Sequence, residues 1–300
     1  MVMKVPSLKL LNIFVTVVRC QGFAPAQQEL NLSTSAISNY MTQLETELGM
    51  LLCHRGRGGF RLTSKGALFY QKALHLLGEV DSLGNYLSNL KGELIGSLRI
   101  GLLDAMVTNA QFPLPDIIAA FNKEYANVHL TLQIQRPYEM QMAILEGQLD
   151  VGIGAFPNKM NGLWFQPLYE EQQRLYCSDL HPLYVQEEIS KETIANQRVV
   201  NRSYWSDAEL ARQGFKSSAA TIDSMEPQLI LILSGAYIGY LPEHYAQSWV
   251  DNKRLRMLDP ESYGYKAPFS LVVKRSGLHE PVIRAFRKLL AEHYGASLEV

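Results

Sequence analysis

Five short polar side chains, spaced to share one face of a helix, are the residues whose types best suit molecular recognition. Hydroxyl and amide groups of this size donate and accept hydrogen bonds, and on a helix surface they can reach base edges and phosphates in a DNA groove. Two further polar residues stand immediately before them. The candidate DNA contacts are therefore Ser33, Thr34, Ser35, Ser38, Asn39, Thr42 and Gln43.

The element that must present these side chains is the second of two short amphipathic helices joined by a polar turn. Its apolar residues Ile37, Met41, Leu44 and Leu48 recur at helical spacing and form one stripe. A helix that is apolar behind and short and polar in front can pack on a core and still press close to DNA. This pattern is typical of a helix-turn-helix in which the second helix, residues 33–47, reads the major groove.

A basic, glycine-rich segment follows at residues 52–63, with the sequence LCHRGRGGFRLT. Its ends resemble short strands, which predicts a two-stranded wing with Arg55, Arg57 and Arg61 near the tip. Arginine on a hairpin suits contact with phosphates or with a narrow minor groove. The alternative is a solvated basic loop, but the position directly after a helix-turn-helix favours the wing.

The net charge of −1 conceals an asymmetry along the chain. Residues 1–65 carry seven basic and three acidic side chains, whereas residues 66–300 carry 21 basic and 26 acidic ones. A small basic module ahead of an acidic body fits an N-terminal contact with nucleic acid. An ordinary fluctuation in composition is the alternative, and charge alone does not separate the two.

A regular apolar seam follows the wing. Its residues alternate in spacings of four and three, which is the 3.5-residue period of a coiled coil. We expect a linker helix that pairs with a second copy of itself, so that a dimer places two reading helices over two half-sites. The alternative is packing within the same chain. The seam comprises Phe69, Ala73, Leu76, Val80, Leu83, Leu87 and Leu90.

Residues 7–66 closely resemble the winged helix-turn-helix of LysR-type transcriptional regulators. The resemblance continues more weakly to the end of the chain, as in the segments 96–101, 146–153, 181–183 and 239–242. Three departures are Gln27 in place of a second alanine, Asn39 where a basic residue is common, and Cys53 in place of the wing phenylalanine. The matching residues are Leu11, Phe14, Gly22, Phe23, Ala26, Leu30, Ser33, Ala36, Ile37, Ser38, Leu44, Glu45, Leu48, Gly49, Leu52, Arg55, Leu62, Thr63 and Gly66.

The C-terminal two-thirds alternates predicted strands and helices, in an order that implies an α/β fold with a parallel sheet. The resemblance implies three parts: a mostly α winged helix-turn-helix at 1–65, a linker and dimerisation helix at 66–92, and an effector-binding domain at 93–300. That last domain should resemble type 2 periplasmic binding proteins, with a ligand cleft between two subdomains. Their expected limits are 96–166 with 267–300 for the first, and 167–266 for the second.

Ligands in such sheets bind at the carboxyl ends of strands and at helix N-termini. We expect Arg136 or Arg202 to hold a carboxylate of a small metabolite, and Asp104 to hold an amino or hydroxyl group. Thr108 and Asp223 also fit simple helix caps. The candidate effector-binding residues are Asp104, Ala105, Thr108, Arg136, Asn201, Arg202, Thr221 and Asp223.

Other classes of protein receive less support from the sequence. It has no GxxxxGK[ST], GxSxG or HExxH motif, and its three cysteines are far apart. We therefore expect no enzymatic activity, cofactor or metal, and, without a signal-peptide or membrane-span pattern, a cytoplasmic location. The expected partners are double-stranded DNA, a small-molecule effector, further copies as a homodimer or homotetramer, and RNA polymerase. A receptor of the periplasmic-binding type, or an enzyme on the same α/β body, is the alternative.

Overall fold

The computed structural model describes residues 5–54, 59–89 and 94–294. Arg55, Arg57 and Leu90 lie outside these ranges. The chain divides into two compact units, one comprising residues 1–92 with 146–148 and the other residues 93–145 with 149–300. Each unit is described below by itself.

The N-terminal unit opens with the predicted helices. Ser7 and Ser33 cap the first and third of them, since each hydroxyl accepts a hydrogen bond from a backbone N–H in the first turn. Asn31 adopts a left-handed conformation with φ of 50° and ends the second helix, which makes the turn. The elements are α1 (Leu8–Arg19), α2 (Ala26–Leu30), α3 (Thr34–Leu48), β1 (Cys53–His54), β2 (Arg61–Leu62) and α4 (Ser64–Asn89).

The core of this unit changes the interpretation of the apolar seam on α4. Ala73 is buried in the same cluster as Phe14, and the ring of Phe69 lies 5.4 Å from that of Phe14. The prediction that these two seam residues face a second copy is wrong, because both pack on α1 of their own chain. Leu76 and Leu83 behave differently and are 37% and 58% exposed.

The C-terminal unit contains the predicted parallel strands. β3 pairs in parallel with both β4 and β5, which confirms that part of the sheet. The elements are β3 (Gly96–Leu102), α5 (Leu114–Glu124), β4 (Val128–Ile134), α6 (Pro137–Leu145), β5 (Val151–Ala155), β6 (Leu163–Ser178), α7 (Lys191–Ala195), β7 (Val200–Arg202), α8 (Asp207–Arg212), β8 (Ala220–Ile222), α9 (Met225–Leu233), β9 (Gly239–Pro242), α10 (Glu243–Asp251), β10 (Leu255–Met257), β11 (Gly264–Lys274) and α11 (Pro281–Tyr294).

Two long antiparallel strands connect the halves of this unit. The strand order is β10-β6-β11-β5-β3-β4, and β9 also pairs with β6. β6 and β11 pair along most of their length, with a register shift between Phe269 and Ser270. The sequence predicted strand only near 173–177, because the polar residues 170–173 interrupt the apolar pattern that marks a strand.

Buried apolar side chains form separate clusters along different parts of these strands. One cluster includes Phe121, Ile153 and Phe286, from segments predicted for the first subdomain. Two others lie within the segment predicted for the second. Tyr169 packs in the first cluster, just beyond the expected boundary at residue 166. The subdomain limits remain a proposal.

Candidate nucleic-acid interface and ligand cleft

Helix α3 has two chemically distinct faces. Ile37, Met41 and Leu44 have no exposed surface and fix the helix on the core of its unit. The opposite face carries Ser35, Asn39, Thr42 and Gln43, all exposed, with Ser38 partly exposed beside them. The structure thus brings the predicted DNA contacts onto one surface.

Hydrogen bonds within the helix orient several of these side chains. The Thr42 hydroxyl donates to the carbonyl of Ser38 at 2.9 Å, and the Gln43 amide donates to the Glu47 carboxylate at 2.8 Å. At the start of the helix, the Ser33 hydroxyl accepts from the backbone N–H of Ala36 at 3.2 Å. Ser33 therefore has a capping role, beside the positive end of the helix dipole, which favours a phosphate.

The wing is fastened to α3 through Glu45. Its carboxylate accepts hydrogen bonds from the backbone N–H groups of Leu52 at 2.8 Å and Cys53 at 3.3 Å. β1 and β2 pair antiparallel, with His54 opposite Arg61, which confirms the strands at the ends of the predicted wing. Arg61 is exposed. Glu45 was read from the sequence as part of the family resemblance, and the structure gives its local role.

A small inner chamber of about 50 Å³ lies in the C-terminal unit. Asp104 reaches it from the end of β3, and Arg202 from the end of β7, as the strand-end rule predicts. Glu171 on β6 brings a second carboxylate, and Trp205 forms part of the wall. The chamber therefore contains two carboxylates and one guanidinium.

Neighbouring protein groups hold the Arg202 guanidinium. Its Nη2 donates to Gln173 Oε1 at 2.7 Å and to the carbonyl of Tyr240 at 3.3 Å, and its Nη1 donates to the Tyr265 hydroxyl at 3.4 Å. Its centre lies 5.5 Å from the ring of Trp205. These contacts fix a side chain that is only 7% exposed.

The two carboxylates of the chamber have different partners. Asp104 Oδ2 accepts a hydrogen bond from the backbone N–H of Met225. Burial raises the pKa of Asp104, and the Met225 N–H and the charge of Arg202 partly oppose that rise. Glu171 accepts from Gln173 Nε2 at 2.6 Å and bonds to His244 Nε2 at 3.0 Å.

Several predicted effector residues lie outside the chamber. Arg136 is exposed and pairs with Glu139 and, at 3.2 Å, with Asp223. Thr108 bonds to His244 Nδ1 at 2.8 Å. The remaining three do not line the chamber: Asn201 is buried and accepts from the backbone N–H of Arg202, Thr221 is exposed on β8, and Ala105 has a left-handed backbone with φ of 60°.

A larger outer chamber of about 340 Å³ adjoins the inner one and shares Trp205 and Tyr265 with it. Arg212 from α8 and Lys266 from β11 bring positive charge to its lining, and Phe156 adds an aromatic wall. Sequence reasoning missed Glu171, Tyr265, Arg212 and Lys266 as site residues. No local motif marks them, because β6, β11 and α8 bring them to the cleft from separate parts of the chain.

The cysteines provide no evidence of a redox centre. Cys53 and Cys177 are buried, and burial raises the pKa of the Cys177 thiol to about 11, so it is protonated at neutral pH. Within the described ranges, no group of three or more His, Cys, Asp or Glu side chains could hold a metal ion. Among the described helices, none has the length and apolar character needed to cross a bilayer.

Comparison with known proteins agrees with both halves of the chain. Residues 8–67 match the family described as bacterial regulatory helix-turn-helix protein, lysR family, and residues 91–295 match the LysR substrate binding domain. The transcriptional activator BauR of Pseudomonas aeruginosa is 34% identical over 287 residues, covering 95% of this chain and 94% of BauR.

Solved structures share the fold. CrgA from Neisseria meningitidis, a LysR-type transcriptional regulator, aligns over 97% of this chain and 100% of its own with a TM-score of 0.53 and 25% identity. Full-length CbnR, solved with its target DNA, aligns over 96% of this chain and 99% of its own with a TM-score of 0.67 and 17% identity.

Proposed function

Because the chain belongs to the LysR family of bacterial transcriptional regulators, we propose that it binds promoter DNA as a homodimer or homotetramer and that a small molecule in its cleft alters transcription. Helix α3 would enter the major groove at each half of an interrupted inverted repeat. The wing at 52–63, with Arg55, Arg57 and Arg61, would hold the flanking backbone. The proposed division remains 1–65 for DNA binding, 66–92 for the linker and 93–300 for the effector.

The observation that carries this proposal is the division of α3 into two faces. Ile37, Met41 and Leu44 are fully buried behind the helix, while Ser35, Asn39 and Thr42 are exposed in front. Short polar side chains let the helix approach base edges closely. No long side chain stands on this face at Ser35, Asn39 or Thr42, so the helix backbone could come close to a DNA groove.

Exposed apolar residues on α4 support self-association. Leu76 and Leu83 are seven positions apart and share one side of a coiled-coil repeat. Pairing through this part of the helix would remove both side chains from water, at about 25 cal/mol per Å² of apolar surface. It would also hold two reading heads at a fixed spacing.

The cleft supports the effector role. Asp104 and Arg202 meet at the ends of two strands, with Glu171 beside them. A small metabolite would shift the equilibrium between two arrangements of the subdomains if it bound them unequally. Such a shift would change DNA bending and access of RNA polymerase. A regulator of promoters acts where the chromosome is, so a cytoplasmic location is part of the proposal.

Retention of genomic DNA tests the proposal. Purified full-length protein is incubated with fragmented genomic DNA of its source, and the retained fragments are sequenced. Enrichment of one or a few intergenic regions that contain an inverted repeat is the expected result. A folded protein that enriches no region at low salt would contradict the proposal. The Ser38→Glu variant is the matched control, since it should fold and enrich nothing.

A further inference from the structure

The two connected chambers of the cleft differ in charge. Asp104 and Glu171 outnumber Arg202 in the inner chamber, whereas Arg212 and Lys266 outnumber Glu209 in the outer one. A ligand that spans both chambers therefore meets negative charge at one end and positive charge at the other.

The hydrogen bonds of the inner chamber show which charged group can still accept a ligand. Arg202 donates to Gln173, Tyr240 and Tyr265, and both oxygens of Glu171 bond to neighbouring side chains. The Asp104 carboxylate accepts from the backbone N–H of Met225 through Oδ2 and from its own backbone N–H, and no described side chain donates a hydrogen bond to it. The inner chamber therefore favours a hydrogen-bond donor with positive charge beside Asp104.

Aromatic rings form a wall that the two chambers share. The rings of Trp205 and Tyr265 lie 4.9 Å apart, and both residues line both chambers. Phe156 adds a third ring to the outer one. Aromatic faces pack against methylene groups and attract cations, so they suit an apolar chain that ends in an amine.

The outer chamber contains a guanidinium suited to an anion. Arg212 donates to the carbonyl of Ala208 at 3.4 Å, and no described carboxylate lies within 4.0 Å of its guanidinium. Lys266 already pairs with Glu170 at 3.1 Å, and the Glu209 carboxylate accepts from the backbone N–H of Ser206. Arg212 is therefore the better group to bind a ligand carboxylate.

We propose that the effector is a small zwitterion with a short apolar chain, whose amine binds beside Asp104 and whose carboxylate binds Arg212. This inference rests on the proposed effector role of the cleft. It replaces Arg136 and Arg202 as the carboxylate-binding groups, because Arg136 lies outside both chambers and pairs with Glu139 and Asp223, and Arg202 is held by the protein.

Fluorescence of Trp205 tests the ligand class. In full-length protein carrying Trp164→Phe and Trp249→Phe, Trp205 is the remaining tryptophan, because the chain has three. The probes are ω-amino carboxylates of four to seven carbons, with the n-alkylamine and the n-alkanoate of each length. We expect at least one ω-amino carboxylate to change the Trp205 fluorescence in a saturable way. The n-alkylamine and the n-alkanoate of the same length should bind about tenfold more weakly or worse.

Two substitutions test which side chain binds each end of the ligand. Asp104→Asn keeps an oxygen acceptor for the Met225 N–H but removes the charge. It should weaken binding of the ω-amino carboxylate by about tenfold and leave the affinity for the alkanoate unchanged. Arg212→Gln should weaken binding of the ω-amino carboxylate by a similar factor and leave the affinity for the alkylamine unchanged. Asp116→Asn and Arg275→Gln, exposed charges outside both chambers, are the matched controls.

The outcomes separate this inference from the proposed function. An alkanoate that binds as tightly as the matching ω-amino carboxylate, or no response to any probe, would overturn the ligand class while retention of genomic DNA still supports a regulator. Loss of DNA retention together with saturable binding of the ω-amino carboxylate would overturn the regulator and keep the ligand class.

Discussion

The carboxylate of Asp104, at the end of β3, accepts a hydrogen bond from the backbone N–H of Met225, the first residue of α9. Arg136, after β4, pairs with Asp223, just before the same helix. Two segments predicted for the first subdomain thus contact the N-terminus of one helix predicted for the second.

Asp104 should give the stability a specific dependence on pH. Because burial raises its pKa in the folded protein above 3.8, protonation favours the folded state, and stability falls as pH rises through the folded pKa. Asp104→Asn removes this contribution to the pH dependence of stability. The midpoint temperature of unfolding of the variant should therefore increase relative to that of the wild type as pH rises from about 4.

Thermal melts of both full-length proteins at a series of pH values provide the measurement. Asp116→Asn, at an exposed position on α5, should show no comparable gain. A difference between Asp104→Asn and wild type that is constant with pH, or that shrinks as pH rises, would contradict the pKa direction.

Ser38→Glu should abolish DNA binding. The substitution places a carboxylate on the proposed reading face, where like-charge repulsion from phosphates should weaken binding by about a hundredfold or more. Fluorescence anisotropy with an enriched operator gives the affinity. Ser217→Glu, an exposed position in the other unit, is the control. Unchanged affinity in Ser38→Glu would mean that another face meets the DNA.

Arg61→Ala should weaken binding to all DNA sequences alike. The exposed guanidinium on β2 is expected to contact phosphate, so its loss should reduce the slope of log affinity against log salt by about 1. Titrations of specific and unrelated duplexes at several salt concentrations, with Arg275→Ala as the control, measure this. An effect confined to one operator would assign base reading to the wing.

Gly66→Ala should destabilise the N-terminal unit. A Cβ atom at this position would overlap the backbone carbonyl of Leu52, which a side-chain rotation cannot relieve. The expected cost is about 1–3 kcal/mol. Gly84→Ala lies on the same helix, where no described atom beyond the neighbouring helix backbone lies within 4 Å of the new methyl group, and should instead stabilise by roughly 0.5–1 kcal/mol. Thermal melts of the two variants should shift in opposite directions.

Leu83→Glu should weaken self-association. Leu83 is 58% exposed, so the substitution costs the folded chain little, yet it would place a charge in the proposed coiled-coil contact. Sedimentation should show a shift towards the monomer. Leu68→Glu, 73% exposed on the same helix but off the seam, is the control. An unchanged oligomer in Leu83→Glu would remove α4 from the interface.

Local patterns in the sequence determined the N-terminal unit closely. The stripe of Ile37, Met41 and Leu44 predicts α3 because helical spacing alone sets which side chains share a face. In the C-terminal unit, the short apolar run at Val151–Ala155 predicts a buried strand, and β5 has these limits. The strand-end rule selects Asp104 and Arg202, which line one chamber, and it also selects Arg136 and Thr221, which do not line it.

Only the tertiary structure decided the rest of the cleft. Glu171 on β6 and Tyr265 on β11 share the inner chamber because these two strands pair between the halves of the C-terminal unit. Arg212 reaches the outer chamber from α8, which is distant from both strands in the sequence. The sequence periodicity of a strand does not identify the distant strand with which it pairs. The partner of a charged side chain is equally non-local: Arg136 pairs with Asp223, which lies 87 positions away in the sequence.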